Sequence, residues 1–219
     1  MMKRSKVLER RIDKAIEEKS NLLNNVDRAD SLKIIPLESR KNPLVLAERL
    51  QIKYDSNAIF NPVSFEVNNG DRVALVGKNG AGKSSILKLI LEKSSTGNEN
   101  ILQPTGNTNN LALVEKAEYT GTLKVANDLK ISYISQSTEY LKGNLKEFAK
   151  KYEVEESIFK AMLVKMGFSN SEFDKDINQM SEGQKKKILI AKSISEQANF
   201  YIWDEPLNYI DILTRIQIE

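Results

Sequence analysis

The 219-residue sequence contains no cysteine and no histidine. Without cysteine there is no disulfide framework and no thiolate metal site. The lack of histidine removes the commonest metal ligand and general base, so any catalysis must use carboxylates, lysine, the backbone or a bound cation. No apolar run approaches the roughly 20 residues of a membrane-spanning helix, and residues 1–4 are not followed by a secretory apolar segment. We therefore expect a protein of the cytoplasm.

The composition is that of a soluble globular protein with a charge-rich surface, with 40% hydrophobic and 29% charged residues. The length suits one large domain, or one domain with an appendage. The net charge of +3 is too small to establish an anionic partner by itself.

A glycine-rich segment fits the phosphate-loop pattern, in which two glycines separated by four residues are followed by Lys and Ser. Glycines let successive backbone amides turn toward an anion, and the helix that begins near Lys83 adds its positive end. We expect Lys83 to reach the β- and γ-phosphates of a nucleotide and Ser84 to bind Mg²⁺. A glycine-rich turn between a strand and a helix is the plainer alternative. The nucleotide-binding segment comprises Gly77, Lys78, Asn79, Gly80, Ala81, Gly82, Lys83, Ser84 and Ser85, after a predicted buried strand over Val73–Val76.

An acidic pair follows a second apolar run, at residues 200–203. A buried strand there delivers Asp204 and Glu205 to its carboxyl end, where open α/β sheets bind ligands. Alternation along a strand points the two carboxylates in different directions, so they can perform different tasks. We assign Asp204 to Mg²⁺ and Glu205 to the attacking water, as base or positioner. A strand that simply ends in Asp-Glu-Pro is the alternative.

A helix start is predicted at Ser181, a good N-cap, with Gly183 and Gln184 in the first turn and three lysines after them. Helix N-termini of this kind bind anions, although a capped and solvated helix has the same sequence features. This pattern is weak when taken alone.

The rest of the chain indicates an α/β domain preceded by a long charged helix. Apolar residues recur at three- and four-residue spacings over residues 3–30, whose beginning is basic; a solvated face and contact with a phosphate backbone both explain that charge. A hairpin turn is predicted at residues 68–71, a flexible loop at residues 94–110 and helices over residues 144–170 and 182–196. Short strands are predicted at residues 45–46, 50–54, 63–67, 111–114, 122–125, 131–135 and 199–203.

Taken in order, these segments resemble the nucleotide-binding domain of ATP-binding cassette (ABC) proteins. The resemblance covers about residue 44 to the C-terminus and implies a mixed sheet with helices, a helical subdomain and the cofactors ATP and Mg²⁺. It implies that Tyr54 stacks on adenine and that Gln136 joins the metal and water shell. Met180–Gln184 resembles the family signature, with Glu182 where many members have Gly, and residues 208–211 resemble the loop that contacts the partner domain. In this family Ser181, Gly183 and Gln184 serve an ATP held by a second cassette.

Residues 1–43 resemble the end of an interdomain linker, and residues 44–219 resemble one cassette. The charged helix before the cassette, the resemblance of residues 17–34 to a linker exit and the sequence of residues 203–211 favour the F subfamily, soluble proteins with two cassettes on one chain. That resemblance implies action on the ribosome, through rRNA or tRNA, in antibiotic resistance or translation. The ATPase subunit of a membrane transporter is the main alternative, and a fragment that only binds nucleotide or a partner is another.

Two departures from the family pattern matter. The family's switch histidine cannot be present, since the chain has no histidine, and the sheet strands beyond it are missing. We therefore expect this chain to be part of a larger protein, with an incomplete C-terminal end. When isolated, it should bind ATP weakly and hydrolyse it slowly or not at all.

Overall fold

A computed structural model describes residues 32–55, 57–94 and 117–218 as a mixed α/β fold. This confirms the predicted α/β class. The predicted helix over residues 3–30, the loop after residue 94 and the strand at 111–114 lie outside the described residues. The strands are β1 Val45–Tyr54, β2 Asn57–Ala58, β3 Val63–Val67, β4 Ala117–Val125, β5 Ile131–Ile134 and β6 Phe200–Trp203. The helices are α1 Lys83–Ser94, α2 Leu145–Lys151, α3 Glu156–Lys165, α4 Asn170–Phe173, α5 Glu182–Ser195 and α6 Ile212–Ile218, with a 3₁₀ helix at Ile177–Gln179.

The first sheet is antiparallel, and β1 lies at its centre. β4 pairs with the full length of β1, from Val45 to Tyr54, while β2 and β3 pair with the other edge of β1. The register shifts around residue 49, where Arg49 adopts a φ of 49°. The two separate runs predicted at residues 45–46 and 50–54 are therefore one bulged strand.

The second sheet is a parallel pair, in which Ile131 of β5 lies opposite Phe200 of β6 and Ile134 opposite Trp203. Alternation gives the pair two apolar faces. Ile131 packs on the cluster that contains the antiparallel sheet, and Ile134 belongs to the cluster around α5. The strands predicted at residues 131–135 and 199–203 are confirmed, and their carboxyl ends meet at one edge.

Two hydrophobic clusters therefore lie on opposite sides of β5 and β6. The first joins β1, β3, α1 and β6 through Val45, Ala47, Leu50, Ile52, Val67, Ile86, Leu89, Ile90, Leu91 and Ile202. The second joins β5 to α2, α3 and α5, with Phe159, Leu163, Ile188 and Ile190 all fully buried. Burial of these side chains supplies the main driving force for this arrangement.

The helical region predicted over residues 144–170 consists of α2 and α3 and the start of α4. The chain turns between α2 and α3 at Glu153, with a φ of 53°, and leaves α3 at Gly167, with a φ of 86°. Most of the predicted apolar face is buried, but Ile158 is 42% exposed. Helix α5 matches its prediction, whereas α6 was not predicted.

The prediction of a strand at Val73–Val76 is wrong. Residues 71–78 have no regular secondary structure, and Val76 is 92% exposed. Among the described strands none pairs with this segment, so its backbone lacks the ladder of hydrogen bonds that a buried strand requires. Residues 68–71 form a turn, in which Asn68 N–H donates to Asp71 Oδ2 at 2.8 Å and Gly70 has a φ of 82°. The turn does not close the predicted hairpin, because residues 71–78 form no strand.

Residues 32–44, the described part of the chain before β1, have neither helix nor strand, but they pack on the fold. Leu32 N–H donates to the Gln217 carbonyl and Leu37 N–H to the Ala198 carbonyl, both at 2.8 Å. The boundary at residue 43 stays a prediction. Over the ranges that the structure describes, no helix combines the length and apolarity needed to cross a membrane.

Candidate functional site

The glycine-rich loop leads directly into helix α1. Ala81 N–H donates to the Lys78 carbonyl at 3.1 Å, and Ile86 N–H donates to the Gly82 carbonyl at 3.0 Å as the helix begins. Gly82 has a φ of 88°, and a Cβ at this position would lie 2.8 Å from Phe60 Cδ1. Both the backbone conformation and the neighbouring ring therefore require glycine here.

The Lys83 ammonium lies over the loop. It donates hydrogen bonds to the carbonyls of Gly77 at 3.0 Å and Lys78 at 3.1 Å. The cation is thus held against the segment that the sequence assigns to phosphate binding. The position of this ammonium suits the binding of an anion that approaches the loop from the start of α1.

Ser84 and Asp204 connect the loop to the end of β6. Ser84 Oγ donates to Asp204 Oδ1 at 2.9 Å, and Asp204 is 3% exposed. Burial raises the pKa of Asp204, and the Glu205 charge adds to this rise, while Ser84, Lys88 and Lys186 act in the opposite direction. A buried carboxylate next to a hydroxyl provides oxygen ligands for a cation.

Gln136 and Glu205 form the second contact of the site. Gln136 Nε2 donates to Glu205 Oε2 at 2.9 Å, and Asn208 Nδ2 donates to the same oxygen at 2.8 Å. The parallel register explains this contact, because Gln136 follows β5 and Glu205 follows β6 at the same edge. Glu205 has a φ of 49°, so the chain turns sharply there. The two acidic side chains consequently have different partners.

Tyr54 lies at the end of β1, half-buried, beside the start of α1. Its hydroxyl is 3.5 Å from Ser85 Oγ, at the outer limit of a hydrogen bond. The structure therefore brings Tyr54 next to the glycine-rich loop, as a residue that stacks on a base at this loop would require.

Ser181, Gly183 and Gln184 form a separate station at the start of α5. Ser181 Oγ accepts from Gln184 N–H at 3.3 Å, and Gln184 Oε1 accepts from Ser181 N–H at 2.9 Å, which is a capping box. A Cβ on Gly183 would lie 2.6 Å from the Tyr209 carbonyl oxygen. Within residues 32–55, 57–94 and 117–218, no hydrogen bond joins this station to the glycine-rich loop.

Lys186 is the residue of this region that the sequence reading missed. It is 1% exposed, and its ammonium donates to the Ser135 carbonyl at 2.9 Å, one residue before Gln136. Its spacing from Ile190 and Ser193, both fully buried, could have revealed that it faces the interior of the fold. The surrounding lysine run instead suggested a solvated surface.

The oxygen-bearing groups fit a magnesium ion that also binds phosphate. Ser84, Gln136 and Asp204 offer a hydroxyl, an amide and one carboxylate, and Mg²⁺ in nucleotide sites uses few protein ligands besides substrate oxygens. Of the residues described, no group of three or more acidic side chains forms a dedicated metal cage. The arrangement thus favours a metal shared with a nucleotide.

Comparison with known proteins agrees with this geometry. Residues 60–208 match the family model described as ABC transporter. The lacticin-481/lactococcin-DR transport/processing ATP-binding protein of Lactococcus lactis subsp. lactis is 27% identical over 205 residues, covering 90% of this chain and 27% of that protein. The probable ATP-binding protein YheS of Escherichia coli K12 is 25% identical over 181 residues, covering 80% of this chain and 25% of that protein.

A shorter relative matches over most of its own length. The ergothioneine transport ATP-binding protein EgtV of Helicobacter pylori strain G27 is 29% identical over 180 residues, covering 80% of this chain and 81% of that protein. The chain spans about a quarter of the length of the first curated relatives that it matches.

Proposed function

This chain belongs to the ABC transporter family as an ATP-binding cassette, and we propose that it binds ATP with Mg²⁺ and hydrolyses it to ADP and phosphate. The observation that carries the proposal is the convergence of two contacts at one sheet edge. Ser84 Oγ lies 2.9 Å from Asp204 Oδ1, and Gln136 Nε2 lies 2.9 Å from Glu205 Oε2. The phosphate loop, the acidic pair and the glutamine therefore meet although they are far apart in sequence.

Each group has a task that follows from its position. The loop amides and Lys83 bind the phosphates, while Tyr54 provides a ring for the base. Ser84, Gln136 and Asp204 would hold Mg²⁺, which supplies positive charge to the phosphate oxygens. Glu205 orients a water molecule toward the γ-phosphorus and accepts its proton, as the bond to the β–γ bridging oxygen breaks.

We further propose that a second cassette completes the site. Ser181, Gly183 and Gln184 present a helix N-terminus that shares no hydrogen bond with the chain's own phosphate loop over the described residues. An N-terminus of this kind suits the phosphates of an ATP molecule bound elsewhere. Two cassettes would then enclose two ATP molecules, each held by one loop and one opposing helix.

For the whole protein we propose the F subfamily, whose two-cassette members act on the ribosome. The charged segment at residues 3–30 and the sequence of residues 203–211 support this assignment. The activity would be protection of the ribosome against antibiotics or a role in translation. The basic start of residues 3–14 suits contact with rRNA or tRNA.

A transport function is the second candidate, favoured by the names of two relatives. The Lactococcus lactis and Helicobacter pylori proteins are both named as transport ATP-binding proteins. In that case the cassette would drive a membrane subunit, and the protein would fractionate with membranes.

The two functions can be separated with Glu205→Gln in the protein that contains this chain. This variant should retain ATP and trap the bound state, because it lacks the carboxylate that accepts the proton. We expect ATP-dependent co-sedimentation with ribosomes, and Lys83→Ala in the same background should abolish it. Recovery with detergent-solubilised membrane proteins, with no ribosome association, would support transport instead.

A further inference from the structure

Lys186 is a charged side chain in an almost fully buried position. It is 1% exposed, and among the described residues its ammonium forms no salt bridge. Burying an ammonium is costly unless hydrogen bonds and nearby charges compensate for the lost water. The Lys186 ammonium therefore needs hydrogen-bond acceptors and negative charges within the fold.

Lys186 holds the backbone directly before Gln136. Its Nζ donates to the Ser135 carbonyl at 2.9 Å. Two residues after Gln136, the Thr138 hydroxyl donates to the Glu182 carboxylate, which also belongs to α5. Helix α5 therefore contacts the loop that carries Gln136 on both sides of this residue.

The charge of Lys186 also acts on the acidic pair. Asp204, Glu205 and Glu182 all stabilise its ammonium form, although burial lowers its pKa. The same attraction opposes the rise in the pKa of Asp204 that burial causes, and it contributes to the lowered pKa of Glu182. The Lys186 ammonium therefore binds the backbone next to Gln136 and is also attracted by the two carboxylates that follow β6.

We propose that Lys186 is a positioning residue for ATP hydrolysis, because it fixes the Gln136 loop against the Asp204–Glu205 pair. This inference depends on the proposed ATPase function. Lys186 does not touch the nucleotide; it keeps Gln136 and Glu205 within hydrogen-bond distance of each other. Loss of the ammonium should misplace the water and the metal more than it weakens nucleotide binding.

Lys186→Met tests this role, since methionine has a similar length without the charge or the donors. We expect kcat for ATP hydrolysis to fall about 10–100-fold with a change in KM of about twofold or less. Hydrogen exchange of the amides at residues 136–139 should accelerate in the same variant. Lys186→Gln, which keeps a donor but cannot reach as far, should show the same direction of change and serves as the second variant.

Lys192→Met is the matched control. Lys192 lies on the same helix, is 8% exposed and pairs with Glu196 at 2.9 Å. Lys192→Met should lower the free energy of unfolding without slowing ATP hydrolysis or changing hydrogen exchange at residues 136–139. An equal fall in kcat in this control would show a general loss of stability and overturn the proposal, as would wild-type kcat and exchange in both Lys186 variants. These measurements use the protein that contains this chain. Absence of turnover in its wild type would overturn the proposed hydrolysis instead, and the exchange data would still decide whether Lys186 holds the loop.

Discussion

Ser84 Oγ lies 2.9 Å from Asp204 Oδ1, although 120 residues separate them. This hydrogen bond joins the start of α1 to the end of β6. The Ser84 hydroxyl can donate to Asp204 and still offer its lone pairs to a cation, so this bond is compatible with the proposed metal site. The bond keeps the two proposed metal ligands close together.

Lys83→Ala should weaken ATP binding about 10–100-fold, because it removes a charge-assisted contact to the phosphates worth about 1.5–3 kcal/mol. Titration calorimetry with ATP in the presence of Mg²⁺ measures this effect. Lys93→Ala, at the other end of the same helix, is the control and should leave affinity unchanged. Equal affinity in Lys83→Ala and the wild type would mean that the loop does not bind phosphates.

Glu205→Gln should lower kcat by about 10²–10⁴-fold, since the amide cannot accept the proton of the attacking water. ATP affinity should change little, because Gln136 and Asn208 can still donate to the remaining carbonyl oxygen. Single-turnover hydrolysis together with nucleotide binding separates the two quantities. Glu66→Gln on the exposed side of β3 provides a control for the loss of one charge. Turnover within twofold of the wild type in Glu205→Gln would exclude this residue as the base.

Gly183→Ala should lower the free energy of unfolding by about 1–3 kcal/mol, the usual cost of overpacking. The added Cβ would lie 2.6 Å from the Tyr209 carbonyl oxygen, and a backbone atom cannot rotate away. Urea unfolding measures the change, and Gly183→Val should be less stable still. If both variants unfold at the wild-type urea concentration, Tyr209 does not pack against this glycine in solution.

Asp211→Asn should have a lower free energy of unfolding than the wild type at neutral pH. The wild type should lose the same contribution only in acid. Burial opposes the charge on Asp211, but hydrogen bonds from Lys187 and Thr214 lower its pKa from 3.8 to about 2. A depressed pKa stabilises the fold above pH 3.8, and this contribution disappears as the pH falls through about 2. Solvent screening limits it to about 1 kcal/mol or less.

The measurement for Asp211 is urea unfolding of both proteins between pH 2 and pH 6. The difference between them should be largest above pH 4 and should vanish near pH 2. Lys187→Met should reduce the same difference, because Lys187 Nζ lies 2.7 Å from Asp211 Oδ2. A difference that does not depend on pH would contradict the assignment.

Much of the site could be predicted from sequence because each part depends on local backbone geometry. Glycines at fixed spacing before a helix predict the loop, and acidic residues after an apolar run predict the carboxyl end of a strand. The parallel pairing of β5 and β6 then brings Gln136 and Glu205 together, as strand ends at one sheet edge must. The roles assigned to these residues remain proposals.

The parts that sequence reasoning missed depend on contacts between distant segments. The apolar residues at positions 73–76, two of them valine, predict a strand. A strand also needs a pairing partner, which the residue pattern does not provide. Lys186 lies in a run of three lysines, a pattern typical of a solvent-exposed surface. Its position on α5 nevertheless turns its side chain toward the interior. Helix α6 has exposed apolar residues at Ile212, Leu213 and Ile216, so it lacks a clear amphipathic pattern.

The separation between Ser84 and Asp204 also has a consequence during protein synthesis. At about 5–20 residues per second, the ribosome needs about 6–24 s to add the 120 residues that follow Ser84 up to and including Asp204. During that interval α1 lacks Ile202 of β6, which belongs to the same hydrophobic cluster as Ile86 and Leu89 in the finished fold. The glycine-rich loop therefore emerges first but acquires its partner Asp204 late. Until β6 is made, the nascent chain carries an apolar helix surface that needs protection from aggregation.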